Sequence, residues 1–326
     1  MPRKERPADE GRLIQLVYYA YVAGSALARA VPEPLAYGLA RALGGLGARF
    51  SKKRTIVAKN LARITGEPID SPRVRDLVVE AYRSYARYWL ETFRLVREDK
   101  EFFLDRFRAK NEHKLAEMIE RYGGCIVVVT HLGNWDAAGA WVGSLGYRLV
   151  SVAEVLRPRR MFEFFLEHRA RLGMAIYPAE KGVTDKLVDE VKNGSVVAIL
   201  GDRDLKGTGP EVTFFGERTT LPGGSASLAL RTGVPLLIAG IYGTRFEDGK
   251  RGWDADILGP LEMPEGTGQE AVAELTRRLA QGLEELIARR PEEWHVFQPF
   301  WPTDRNGSLV TRRDIAGSAT KERGSS

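Results

Sequence analysis

The sequence predicts an α/β protein: a mostly parallel central sheet covered by helices on both faces, with an N-terminal helical segment. Three observations carry this. From Cys125 onward, short runs rich in β-branched and aliphatic residues ("CIVVVT", "YRLVSVAEVL", "MAIYP", "SVVAIL", "VPLLIAGIYG") alternate with helical patterns near residues 134–145, 160–172, 183–192, 225–232 and 269–289. Several of those runs are continuously apolar, as in strands buried on both faces. Before them, residues 13–122 space their apolar side chains at helical intervals.

Taken in order, residues 1–12 are charged and expected to be flexible. "LIQLVYYAYVAGSALA" follows, bounded by Arg12 and Arg29. It is shorter than the roughly 20 apolar residues a spanning helix needs, and it carries Gln15, Gly24 and Ser25. Glu5, Asp9 and Glu10 ahead of it argue against a secretory signal. A second apolar stretch, "PLAYGLARALGGLGARF", keeps Arg41 and Arg49 for a wet face. The two read as helices that pack on the body or lie in a membrane interface. Ser71 and Pro72 then mark the start of a long helix with Tyr82, Tyr85, Tyr88, Trp89 and Phe93 at three- and four-residue steps, a core-packing pattern. Residues 13–303 form one domain (13–122 mainly helical, 123–303 an α/β core), and the Gly/Ser-rich tail 304–326 is expected to be disordered.

Composition narrows the function. A chain of 326 residues with 44% hydrophobic residues builds a substantial core. Its single cysteine allows no disulfide framework and no cysteine-based zinc site, and a reducing cytoplasm is the default. The formal charge of +6 points to an anionic partner, lipid or phosphorylated substrate. The basic residues are dispersed and no nucleic-acid motif is present, so nucleic acid is not expected. There is no G-x-S-x-G and no P-loop, and "GGLG" lacks the context of a dinucleotide fingerprint.

The chemistry concentrates in "CIVVVTHLGNWDAAG". His131 falls at the carboxyl end of a buried strand, the edge where α/β proteins form ligand crevices. Gly133 permits a tight turn, Asn134 is a good N-cap, and Asp136 lies in the first turn of the next helix. There its carboxylate is expected to fold back on the imidazole, fix its tautomer and leave the other nitrogen as a base. Spacing alone also fits a structural histidine beside a helix-start aspartate.

"THLGNWD" resembles the His-x4-Asp motif of the lysophospholipid-type acyltransferases, in particular the lipid A biosynthesis branch. "KKRTIVAKNLAR" and "GDRDLKGTGPEVTFFGERTTLPGGSASLALRTGVPLL" resemble further blocks of that branch. "AEVLRP", "HRARLG" and "EEWHVFQPFWPTDR" are most similar to the actinobacterial phosphatidylinositol mannoside acyltransferases. The resemblance covers about residues 13–305. It implies a glycerolipid acyltransferase-like fold and a peripheral or N-terminally docked enzyme on the cytoplasmic face of the plasma membrane. Palmitoyl or a similar chain would move from acyl-CoA to a mannose 6-hydroxyl on a phosphatidylinositol mannoside.

On that resemblance His131 is the general base and Asp136 its orienting carboxylate. Glu154, Arg157 and Arg169 belong to the acceptor side, and Asp202, with Asp204 as the alternative match, is the acidic residue near the chemistry. Backbone N–H groups after Asn134 or the Arg203 guanidinium are the oxyanion candidates. A thioester is already activated, so acyl-CoA as co-substrate suffices, with no metal and no other cofactor. Alternatives are a lipid A-type acceptor, a non-catalytic lipid-binding protein, and a metal-dependent phosphoesterase using His131, Asp136, Asp202 and Asp204.

Overall fold

The computed structural model describes residues 12–156, 158–204 and 206–305, so the termini expected to be loose lie almost entirely outside the described residues. The chain opens with five helices: α1 (Arg12–Ala30), α2 (Glu33–Phe50), α3 (Arg54–Thr65), α4 (Pro72–Leu95) and α5 (Lys100–Arg106). The start of α4 is set as the sequence predicts, with Ser71 Oγ accepting from the Val74 N–H. Helix α2 packs on α4 through Ala36, Ala40, Gly44 and Ala48, one small residue per turn. A Cβ at Gly44 would stand 2.7 Å from Arg83 Cα, so the two backbones touch there. The leucines of α2 therefore point away from the body.

The α/β part follows as β1 (Phe107–Lys110), α6 (His113–Tyr122), β2 (Cys125–Val129), α7 (Trp135–Ser144), β3 (Leu149–Ala153), α8 (Arg159–Arg171), β4 (Met174–Pro178), α9 (Val183–Lys192) and β5 (Val196–Leu200). A hairpin, β6 (Glu211–Phe214) and β7 (Glu217–Thr220), precedes α10 (Gly224–Thr232). The chain ends through β8 (Leu236–Arg245), β9 (Arg251–Leu258), α11 (Gln269–Arg289), a 3-10 turn at Pro291–Glu293 and α12 (Pro302–Arg305). Seven strands form one sheet in the order β1-β9-β8-β2-β5-β3-β4. The five from β8 to β4 are parallel; β9 is antiparallel to β8, and β1 runs with β9. Helices α9, α10 and α11 cover one face, and α7 lies on the other.

Within residues 13–122, β1 closes one edge of the sheet. Two expectations need correction. Strand β9, with Asp254 and Asp256 inside it, was not anticipated; it is held by a long antiparallel pairing to β8 rather than by a continuous apolar run. The tail does not begin at 304: Asp304 is buried in α12, paired with Arg63 at 2.9 Å and Lys59 at 3.2 Å.

The β2–β5 pairing positions the site. Its register runs from Cys125↔Val196 to Val129↔Leu200, and the Gly201 N–H continues it onto the Val129 carbonyl at 3.0 Å. Two residues further along each strand, His131 and Asp202 come side by side.

Candidate active site

His131 sits at the carboxyl edge of the sheet with its Nδ1 2.6 Å from Asp202 Oδ1. The His131 main-chain N–H donates to Asp202 Oδ2 at 2.8 Å, and the Trp294 indole N–H to the same oxygen at 2.7 Å. Asp202 is completely buried. Burial acts to raise its pKa, but the facing His131 charge, the two His131 hydrogen bonds and the Trp294 indole outweigh burial and hold the carboxyl below its ordinary range. An ionised carboxylate on Nδ1 fixes the Nδ1–H tautomer and turns Nε2 into the acceptor.

The carboxylate that holds His131 is thus Asp202 and not, as the sequence suggests, Asp136. Asp136 is buried at the start of α7, where its Oδ1 accepts from Arg169 Nε at 2.8 Å and its Oδ2 from the Tyr88 hydroxyl at 3.2 Å. The helix turn carries it toward α8 and α4, away from the ring's Nδ1 side. Asp136 and Arg169 form one unit, an ion pair whose guanidinium lines the same cavity as His131. Glu154, at the end of β3, is exposed on the rim of that cavity. Arg203 lines it as well, and with the Gln298 amide oxygen turned toward the guanidinium, Gln298 accepts from Arg203 Nε and Nη2 at 2.7 and 2.9 Å. Arg157 lies outside the described residues. Asp204 is bound to the N–H groups of Lys206, Gly207 and Gly209 and shapes its own loop. The four residues of the metal alternative therefore do not converge, and among the described residues no group of three or more His, Cys, Asp and Glu side chains is placed to hold a metal.

Behind His131 opens an apolar cavity of about 430 Å³. Its floor is one face of the sheet, with Val129, Ser151, Ala198, Ala239 and Ala255 from five neighbouring strands; its roof is α7, with Ala138, Gly139, Trp141 and Val142. Val196, Ala198 and Leu200 all line it, so it follows β5 for about 13 Å at ~3.3 Å per residue. Small side chains create the room, yet α7 seats closely where it crosses β3 and β4: a Cβ at Gly139 would meet Met174 Sδ at 2.3 Å. Tyr85, Tyr88 and Trp89, expected as core, form part of the wall.

Sequence reasoning missed the support behind the motif. Asn134 caps α7, with Oδ1 on the Ala137 N–H at 3.0 Å, while its Nδ2 donates to the buried Glu91 at 3.1 Å. Trp253 Nε1 donates to the same Glu91 oxygen at 2.9 Å. Arg87 Nη2 donates to Glu293 at 2.6 Å, and the Glu293 carbonyl accepts from the Gly133 N–H at 3.0 Å. His295 N–H bonds the His131 carbonyl at 2.7 Å. The strand-like return of residues 294–295 beside residues 131–132 is what brings Trp294 and His295 to the site. His168, in α8, is buried.

A histidine held by a buried carboxylate, at the mouth of an apolar chamber the length of a strand, is an arrangement suited to an enzyme that handles apolar chains. The chain belongs to the bacterial lipid A biosynthesis acyltransferase family, whose model matches residues 9–303. It is similar to the phosphatidylinositol mannoside acyltransferase of Mycolicibacterium smegmatis, 32% identical over 297 residues covering 89% of this chain and 93% of that protein. It is also similar to that of Mycobacterium tuberculosis, 34% identical over 302 residues covering 89% and 90%. The protein is thus an acyltransferase of this family.

Two outcomes are expected from this geometry. Asp202→Asn leaves His131 without its carboxylate and should lower the turnover of acyl transfer by about 100- to 10,000-fold in steady-state assays, the range a positioned base contributes; wild-type turnover would remove the pair from the chemistry. The second concerns pH. Burial, then the nearby Arg87 and His131 charges, hold the His295 pKa well below its usual value, so the folded ring stays neutral. The unfolded chain takes up that proton first as pH falls through about 6.5, so stability is full above that pH and declines below it. Urea denaturation between about pH 7.5 and 5 should show a shallower decline for His295→Gln than for the wild type; identical slopes would exclude His295 as a source.

Proposed function

We propose that the protein moves a long-chain acyl group, palmitoyl in the leading case, from acyl-CoA to the 6-hydroxyl of a mannose on a phosphatidylinositol mannoside. The observation that carries this reading is the His131–Asp202 pair at the mouth of the apolar chamber. The acyl chain lies in the chamber, where each buried methylene contributes about 0.8 kcal/mol, and the thioester stays near His131. His131 Nε2 takes the proton of the sugar hydroxyl as its oxygen attacks the thioester carbonyl. The tetrahedral intermediate collapses, the carbon–sulfur bond breaks, and the imidazolium returns its proton to the departing thiolate. Asp202 stabilises the imidazolium between these steps.

Glu154 and the Asp136-held Arg169 meet the sugar at the rim, with Arg157 as a further acceptor-side residue. Arg203, pinned by Gln298, faces negative charge at the mouth, whether the developing oxyanion or the donor's phosphates. The chemistry needs no cofactor beyond acyl-CoA.

The reading includes an anionic membrane surface, peripherally engaged on its cytoplasmic face. Helix α2 turns its small residues inward and exposes Leu35, Leu39, Leu43, Leu46 and Phe50, at 49–75% of their free surface. Those residues repeat every three to four positions and form a continuous apolar stripe. Arg49 on the same helix adds to the +6 charge, each basic group near an anionic leaflet being worth about 1 kcal/mol. Among the described residues no helix is long and apolar enough to cross a membrane.

Purified protein incubated with radiolabelled palmitoyl-CoA and a membrane lipid extract containing mannosylated phosphatidylinositol should label one glycolipid, with and without a strong chelator. His131→Ala should cut that label by at least about 100-fold. No labelled glycolipid with the wild type, or equal labelling by the variant, overturns the mechanism. Leu39→Asp/Leu43→Asp should lower transfer to vesicle-borne acceptor while sparing detergent-solubilised acceptor; equal loss on both would place the stripe's role in folding rather than docking.

A further inference from the structure

A second cavity, of about 340 Å³, lies beside the β8–β9 hairpin and is walled by arginines from four elements. Arg87 comes from α4, Arg245 from the end of β8, Arg251 from the start of β9 and Arg290 from just after α11. Arg245 and Arg251 stand directly opposite each other in the antiparallel register. Like charges in that position destabilise a hairpin unless something answers them.

The nearby carboxylates are already committed. Glu91, the one acid in the wall, accepts from Tyr37, Asn134 and Trp253 and lies 3.6 Å from Arg87. Glu293 takes Arg87 at 2.6 Å, Arg290 at 3.4 Å and the Gly243 N–H at 3.0 Å. Arg251 reaches Glu33 only at 3.8 Å, and Arg245 has no carboxylate partner among the described residues, its Nη1 donating to the Gly249 carbonyl at 2.8 Å. Arg290 Nη1 likewise uses the Gly243 carbonyl, at 2.6 Å. Most of the donors on Arg245 and Arg251 are thus left for a ligand. Gly243 makes the crowding possible: a Cβ there would meet Arg87 Nη2 at 2.5 Å.

We propose that this pocket is a binding site for a phosphate group, distinct from the acyl-transfer site. The planar guanidinium groups of Arg245 and Arg251, on facing strand ends, offer N–H donors to a tetrahedral oxyanion, and Arg87 and Arg290 add positive charge behind them. The phosphate comes either from a lipid headgroup or from a free phosphorylated molecule. Helix α2 reaches the pocket's edge through Tyr37, whose ring lies 4.1 Å from the Arg251 guanidinium, while its exposed leucine stripe is on the helix's other side.

The test uses the full-length chain with two probes: inorganic phosphate followed by titration calorimetry, and phosphatidylcholine vesicles with or without phosphatidylinositol followed by co-sedimentation. Wild type should bind phosphate, or bind better to the phosphatidylinositol vesicles. Arg245→Gln/Arg251→Gln should weaken that binding at least about tenfold, roughly what one lost charge-assisted bidentate contact predicts. Lys206→Gln/Arg218→Gln, which removes equal charge outside the pocket, should not. Binding to both probes or to soluble phosphate alone assigns a free phosphate; gain from phosphatidylinositol alone assigns a lipid. If the double variant fails to fold, Arg245→Gln on the exposed hairpin end carries the same comparison. Wild type binding neither probe, or the arginine variants binding like wild type, overturns the proposal.

Discussion

A carboxylate with no surface in water costs several kcal/mol unless its charge is answered, and Asp202 is such a group. Three donors answer it, two of them from His131 itself and one from Trp294. That arrangement makes demands on the whole fold. It requires β2 and β5 to be neighbours in register although His131 and Asp202 are 71 residues apart. It requires the chain to return after α11 so that Trp294 closes the carboxylate from the other side. Removing any one of these partners leaves a buried charge short of a hydrogen bond, so the pair ties the position of the base to the stability of the sheet.

The next layer applies the same rule to the turn itself. Residues 131–134 leave the sheet between two segments, and both are pinned to α4. Glu91 holds Asn134, and Arg87 holds Glu293, whose carbonyl holds Gly133. Burial raises the Glu91 pKa against the pull of Arg87 and the Asn134 and Trp253 hydrogen bonds. A buried ion network of this kind is weak evidence for stability, since well-packed apolar residues often do as well. What it does supply is a fixed geometry: an N-cap and a strand-like return that cannot shift independently.

Much of this was legible in the sequence, and the limits have physical causes. "CIVVVT" announced a buried strand, so the placement of His131 at its carboxyl edge followed from periodicity. The partner of His131 did not follow, because five residues of separation say only that Asp136 is nearby in the chain. Which way a carboxylate in the first helical turn points depends on what packs beside the helix, here Arg169 and Tyr88. Asp202 appeared on family resemblance alone; its contact with His131 is a property of strand register, which no local pattern encodes. Strands β1 and β9 were missed because their side chains alternate or carry charge; antiparallel pairing to β8 supplies what the composition of β9 does not, and parallel pairing to β9 does the same for β1. In α2 the leucine spacing marked an amphipathic helix but left open whether its apolar face packs on the body or meets a membrane; alanine and glycine let α2 approach α4 more closely than leucine could, so the leucines face outward.

The chamber shows the same trade in the core. Facing α7, the sheet presents Ala198, Ala239 and Ala255 where larger residues would fill the space. Space left unfilled inside a protein forgoes packing contacts, so the chamber is a cost to the core. Close packing elsewhere has to offset that deficit, as at Gly139 in the chamber roof, where a Cβ would meet Met174 Sδ at 2.3 Å, and away from the chamber at Gly201, where it would meet Val128 Cγ1 at 2.4 Å. An apolar chain entering the chamber supplies the missing contacts, so occupancy and folding stability are linked. On the proposed function, the small residues that make room for a lipid chain are therefore the same ones that weaken the core when the chamber is empty.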